Sequence, residues 1–235
     1  MLVTADLHNH SCLSPCGDLE MSPSAMVMKA KELGIRMLAL TDHNSALNTP
    51  AFEFHCQQQG ILPLFGIEVT SFEEAHLLCL FQTVEQAMDL SKELYRVLPA
   101  IKNDSDKLGD QVYVDKDDMI EGEVEHHLTN AVSWTIDQVR QRTIEDKGLF
   151  IPAHVDKPVF SLISQLGFIP NEFYHALEIT KPDTHPDYYD NKLITNSDAH
   201  FLHSMGTRKS IYEMGDLSFK SFTEALSQGH YQIFM

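Results

Sequence analysis

The chain has 235 residues, 43% of them hydrophobic, with 34 acidic against 17 basic side chains and a formal net charge of −17. That length and apolar content suit one large α/β domain with a real core and exclude a disordered chain, while the charge argues against a broad basic surface for nucleic acid. No apolar run approaches the roughly 18 residues of a membrane span, and the start "MLVTADLHNH" lacks a secretory leader, which favours the cytoplasm.

"MLVTADLHNH" reads as a strand. "SPSAMVMKAKELG" reads as a helix capped by Ser22, with Pro23 in its first turn and Gly34 at its end. "IRMLALTDHN" is a second strand, "NTPAFEFHCQQQG" a second helix, and "ILPLFGIEVTS" and "HLLCLFQ" two further strands. "TVEQAMDLSKELYRVLP" has the apolar spacing of an amphipathic helix. The polar stretch "IKNDSDKLGDQVYVDKDDMIEGEVEHH" then breaks the rhythm and reads as a hairpin-like insertion over the rim, at about residues 102–128. A helix over "TNAVSWTIDQVRQRTIEDKG", the strand "LFIPAHV", a short helix near "VFSLISQLG", and the strands "HALEIT" and "KLITNSDAH" follow. "KSIYEM" and the helix "SFKSFTEALSQG" finish the chain. Such alternation predicts a mainly parallel sheet, and about seven units favour a closed barrel over an open doubly wound sheet.

Histidine is the anomaly in composition, with 13 present. Their placement is informative. Asp6, His8 and His10 end the first strand, Asp42 and His43 the second, and Glu68 the third; His76 opens the fourth, His154 ends the fifth, and Asp198 and His200 end the seventh. Strand ends of one sense carry the active site in such barrels. His8 and His10, two apart on a strand, point to one face. Nitrogen and carboxylate donors suit zinc, manganese or iron, several strands can hold more than one ion, and Glu68 can bridge two. Two such ions clamp the attacking and leaving oxygens of a displacement and generate a nucleophilic water. Cys12 and Cys16 do not form half of a zinc finger, because Cys56 and Cys79 lie far off in helix and strand patterns; their spacing is also wrong for a redox pair.

In order, "DLHNHS", "TDHN", "GIEVTS", "HLLCL", "PAHVD" and "SDAH" resemble the motifs of the polymerase and histidinol phosphatase (PHP) family over nearly the whole chain, and "HSCLSPCGDLEMSP" resembles a bacterial subgroup with a cysteine-containing loop. The resemblance implies a distorted (β/α)7 TIM-like barrel forming one domain over residues 1–235, up to three divalent metals, and hydrolysis of phosphate esters. It implies that His8, His10, Glu68 and Asp198 bind one metal and that Glu68, His76 and His154 bind a second. His43 and His200 bind a third, with Asp18 (or, alternatively, Cys16) from the first loop. Asp6 and Asp42 are expected to orient ligand histidines, Asp42 thereby joining Glu68 in the catalytic set. Lys157, Lys181 and Arg208 are candidate cations for the substrate phosphate, Arg208 the best clamp, and His203 or His175 a candidate general acid.

The expected activity is hydrolysis of a small phosphomonoester or nucleotide by a metal-bridging hydroxide. A nucleic-acid exonuclease is the competing reading, disfavoured by the acidic surface. An amidohydrolase would commonly place a modified lysine where "HLLCL" offers His76. A non-catalytic metal-binding domain would leave a complete ligand set unused.

Overall fold

A computed structural model of the protein describes residues 1–181 and 191–235. In chain order the elements are β1 (Leu2–Asp6), α1 (Pro23–Glu32), β2 (Met37–Leu40), α2 (Thr49–Gln59), β3 (Leu62–Thr70), β4 (His76–Phe81) and α3 (Val84–Val97). Then come α4 (Ser105–Leu108), β5 (Val112–Val114), β6 (Ile120–Glu123), α5 (Ile136–Glu145), β7 (Leu149–Pro152) and α6 (Leu162–Leu166). The chain ends with β8 (Leu177–Glu178), β9 (Leu193–Ile194), β10 (Lys209–Glu213), α7 (Phe219–Gln228) and β11 (Tyr231–Phe234).

Among the described residues, a curled seven-stranded sheet runs in the order β11-β10-β1-β2-β3-β4-β7. β1, β2 and β3 are parallel, whereas β4 runs antiparallel between β3 and β7. The ring closes through short, irregular pairing. The β7 segment bonds that of β8 (His175 N–H to Phe150 O at 3.1 Å, Val155 N–H to Glu178 O at 2.8 Å), β8 pairs with β9, and Ala199 bridges Asn9 beyond β1. The result is a distorted TIM-like barrel. β10 and β11 extend it antiparallel from the edge of β1.

Alternation along the strands splits the core in two. Met37, Ala39, Leu64, Leu78, Leu80, Leu149, Ile151, Ala176 and Ile194 fill the interior, while Leu38, Phe65, Ile67, Cys79 and Phe150 face outward against helix residues such as Met26, Phe52, Leu90 and Val139. The interior parity continues into Glu68, His76, Glu178 and Asp198, so the face that is apolar at the barrel floor turns polar at one end. Because β4 is antiparallel, its first residue, His76, reaches the same end as the last residues of its neighbours.

Three sequence expectations change. The sheet is mixed at β4, because β3 and β4 form a hairpin with a turn of five residues, too short for a crossover helix. The helix expected from residue 129 begins at Ile136, where Thr135 and Gln138 form a reciprocal capping box. Upstream, Val132 N–H donates to Thr70 O (2.9 Å) and Phe72 N–H to Trp134 O (2.8 Å), so that stretch runs beside the end of β3. Finally, "YQIF" forms β11, a strand absent from the sequence reading. Within residues 102–128, α4 precedes the antiparallel ribbon β5–β6. It packs on the first loop: Cys12, Ala51, Val112 and Val114 form a small buried cluster, and Val112 N–H donates to Cys12 O at 3.2 Å.

Candidate metal centre

Glu68 lies at the centre of the polar end, fully buried. Its Oε1 is 3.2 Å from His8 Nε2, 2.9 Å from His76 Nδ1 and 3.1 Å from His154 Nε2. Its Oε2 is 3.3 Å from His10 Nε2 and 3.1 Å from His43 Nδ1. Asp198 Oδ1 approaches His8 Nε2 at 3.3 Å and His10 Nε2 at 3.4 Å, and His200 stacks on His10 with ring centroids 4.1 Å apart.

Neighbouring groups fix these side chains. His8 Nδ1 meets Glu178 Oε2 at 2.9 Å, and Glu178 also accepts His154 N–H (2.8 Å) and Asn196 Nδ2 (2.8 Å). Asp42 accepts Ser11 N–H, Ser11 Oγ and Ser14 Oγ, and Ser14 Oγ sits 3.0 Å from His10 Nδ1, so Asp42 orients His10 through a serine. Lys157 Nζ pairs with Asp198. Asn44, His154 and Asp198 all carry positive φ (48°, 29° and 55°), a conformation that bulky residues adopt at a cost and that recurs at functional sites.

The electrostatics follow from burial and proximity. Burial would lower His8, but Glu178, Glu68 and Asp198 outweigh it and raise His8 well above its ordinary value; His10 is raised likewise by Asp198 and Glu68. Burial opposes ionisation of Glu68 and Asp198, yet the surrounding histidines, His76 first for Glu68 and His8 first for Asp198, hold both well below the usual carboxylate range. Burial pushes His43 well down and His200 down to about 4, with the His10 charge adding to both.

These residues fit metal ions. Three groups have donor atoms within 4.8 Å of one another: His8–His10–Asp198, His43–Glu68–His76 and His10–His43–His200. Buried His43 Nδ1, His76 Nδ1 and Glu68 Oε2 have no hydrogen-bond partner, although the ion-pair distances are short. Buried lone pairs of this kind are what a bound cation would take up.

Other expected residues fall elsewhere. Asp18 is half-buried; its N–H donates to His200 O (2.9 Å), but its Oδ1 accepts Glu20 N–H (2.8 Å), and it belongs to none of the three donor groups. Cys16 is exposed on the same loop, though enough protein surrounds its thiol to push it up to about 12, with Glu68, Asp198 and Asp42 adding to the effect. Asp6 accepts Ser197 N–H (3.0 Å) and Gly206 N–H (2.9 Å), holding the loop that carries Asp198, and bonds no histidine among the described residues. Arg208 places Nε on Asn196 O (2.9 Å) and Nη2 on Ser197 O (2.8 Å), which turns one edge of the guanidinium toward backbone carbonyls. Lys181 is exposed, held through its N–H by Asp156 (2.8 Å). His203 is exposed and stacks on Phe201. His175 accepts Phe150 N–H (3.0 Å) near the start of β7, at the opposite end of the barrel, because the strand "HALEIT" enters there. Glu178 was missed. Its only signal was a single acid inside the apolar "HALEIT".

A sequence model of the PHP domain matches residues 6–137. A search of curated proteins by sequence finds no match. Among solved structures, the lesion-specific endonuclease EndoQ from Pyrococcus furiosus is 18% identical with a TM-score of 0.72, covering 100% of this chain and 58% of that one. Endonuclease Q in complex with a 27-mer duplex bearing an abasic lesion is 18% identical (TM-score 0.69; 97% of this chain, 57% of that one). A two-domain protein from Bacteroides vulgatus, containing a predicted PHP-like metal-dependent phosphoesterase, is 16% identical (TM-score 0.59; 100% and 65%). The chain therefore spans less than two thirds of the length of each.

Proposed function

The chain belongs to the PHP domain family, and from that premise we propose that it is a metal-dependent phosphoesterase acting on a small phosphomonoester or nucleotide. The observation that supports the reading is Glu68, one buried carboxylate touched by five imidazoles, a position from which it would bridge two ions. His8, His10, Glu68 and Asp198 would hold one ion, and Glu68, His76 and His154 a second. His43 and His200 would hold a third, with His10 adjacent and Asp18 or Cys16 on the loop above. Bound zinc, manganese or iron supplies Lewis acidity toward a phosphate oxygen and lowers the pKa of water.

The chain's own residues do the rest. A cavity of about 160 Å³ opens over the cluster, lined by His43, Glu68, His76, His154, Lys157 and Asp198, among others. Its size suits a phosphoryl group with the ester leaving group directed outward. Lys157, paired with Asp198, would meet phosphate oxygens there. Arg208 holds the carbonyls that aim Asp198, a positioning role in place of the clamp. Loading the purified protein with each metal, counting ions and assaying a phosphate-ester panel tests the reading. Glu68→Gln should lose both metal and turnover; full metal content and activity in that variant would overturn it.

The likeness to Endonuclease Q supports a second reading, cleavage of nucleic acid. The net charge of −17 weighs against it. Labelled oligonucleotides assayed beside mononucleotides separate the two.

A further inference from the structure

The loop between β7 and α6 is pinned at several points. Lys157 N–H donates to His154 O (2.9 Å), Ser161 Oγ to Lys157 O (2.7 Å), and His76 N–H to Phe160 O (2.9 Å). The Phe160 ring lies flat on the His76 imidazole, with centroids 4.9 Å apart and planes 9° from parallel. To reach that position Phe160 adopts φ +53°, the left-handed region that bulky residues rarely occupy. The ring nevertheless remains 42% exposed, and Val159 beside it 54%. A strained backbone that leaves an aromatic face in water gains little from burial. Such strain persists where the position serves a site.

Val159 and Phe160 line the same cavity as Lys157 and Asp198. One rigid loop thus sets a cation by the metal cluster and an apolar aromatic face beside it. Phe72 and Phe201, which follow β3 and precede the 3-10 turn after β9, add exposed aromatic surface at this end of the barrel.

We propose that Phe160 is a stacking platform for the leaving group, so that the site prefers phosphate esters carrying a flat unsaturated ring, of mononucleotide size, over acyclic esters. The proposal rests on the phosphoesterase reading above. Stacking on an aromatic side chain is strong and tolerant of which ring is presented, and Lys157 meets the phosphate while the ring lies on Phe160. Val159 excludes water at the edge of the stack.

The experiment compares kcat/KM for phenyl phosphate and a nucleoside 5′-monophosphate with that for glycerol 3-phosphate, using zinc- or manganese-loaded protein and the variants Phe160→Leu and Phe160→Tyr. The ratio of ring-bearing to acyclic substrate should fall about tenfold in Phe160→Leu, equivalent to about 1.4 kcal/mol, and hold in Phe160→Tyr. Any disturbance of His76 affects both substrates and cancels in the ratio. An unchanged ratio in Phe160→Leu would overturn the proposal. So would turnover of a 5′-phosphorylated oligonucleotide with none of the mononucleotide, since the ring would then belong to a strand. If the wild type hydrolyses no phosphate ester, the phosphoesterase reading has failed. Calorimetry with phenyl phosphate against inorganic phosphate on the same protein then tests stacking alone. A preference for phenyl phosphate lost in Phe160→Leu supports the platform, and equal affinities exclude it.

Discussion

At the scale of single residues, the cluster depends on groups behind its histidines. Glu178 fixes the His8 ring through Nδ1 and grips the His154 N–H, so one carboxylate aims histidines from two strands. Glu178→Gln keeps the shape but removes the charge facing His8. Metal affinity should drop by about 10–100-fold, the usual effect of losing a partner behind a ligand histidine. Titration of the metal-free protein with zinc reads the change, and circular dichroism checks that the fold is kept. Undiminished affinity would mean that His8 is aimed by its strand alone. Arg208 makes a contrasting prediction. Its guanidinium spends donors on Asn196 O and Ser197 O, so Arg208→Ala should lower Tm and kcat while leaving KM for the phosphate ester within about twofold. A large rise in KM at constant Tm would restore it as a clamp. The residues that gather at the cluster were legible because a histidine or carboxylate at the end of an apolar strand is conspicuous. Glu178 was illegible because its strand is two residues long and its acid had no neighbour to mark it. Sequence shows Arg208 only as a cation near a motif, whereas its geometry adds that two donors turn toward backbone.

Among the elements, the insertion and the first loop behave as one unit. Asn48, just before α2, accepts Val114 N–H (2.9 Å) through Oδ1 and donates from Nδ2 to Ser11 Oγ (2.9 Å), tying ribbon β5–β6 to the loop that carries Ser14, Cys16 and Asp18. Asn48 is fully buried. Asn48→Ala should therefore cost about 1–3 kcal/mol, the penalty for leaving a buried N–H unpaired. Urea unfolding measures it, and a loss under about 0.5 kcal/mol would show that the ribbon is held by its apolar contacts instead. Gly66 in β3 carries a different constraint: a Cβ there would lie 2.7 Å from Leu80 Cδ2 and 2.8 Å from Thr41 Cγ2. Gly66→Ala, two residues before Glu68, should destabilise by about 1–3 kcal/mol through overpacking. The helix cap at Ser22 was legible at this scale because capping is local chemistry. The antiparallel run of β4 was not, since strand direction is set by the pairing partner. The late start of α5 was hidden because Thr135 looks like any helical position until its partner Gln138 is seen to bond back.

For the whole molecule, the closed ring brings several buried carboxylates and histidines to one end, and the protein's response to pH and metal follows from their opposing shifts. His8 and His10 are held above their ordinary values by Glu178, Glu68 and Asp198, so without metal the folded state binds protons there that the unfolded chain releases. Their contribution to stability is full below the unfolded pKa, about 6.5, and is lost as pH rises through the raised folded value. Glu68 and Asp198 are depressed, so their contribution is present above the unfolded carboxylate pKa, about 4, and is lost as pH falls. His200, lowered to about 4 by burial and by His10, acts in the same sense: the unfolded chain takes up its proton first as pH falls below about 6.5. The metal-free protein should therefore have its highest Tm near or just below neutral pH and lose stability toward both acid and alkali. Metal ions replace the protons on His8 and His10, so binding should release protons, and the loaded protein should gain most in Tm on the alkaline side. Calorimetric unfolding from pH 5 to 9, with chelator and then with zinc or manganese, tests both statements, and binding enthalpies in buffers of different ionisation heat count the protons. A metal-free Tm that rises steadily from pH 7 to 9 would mean that His8 and His10 are already neutral in the empty cluster, and would remove the carboxylates around them as the source of that shift.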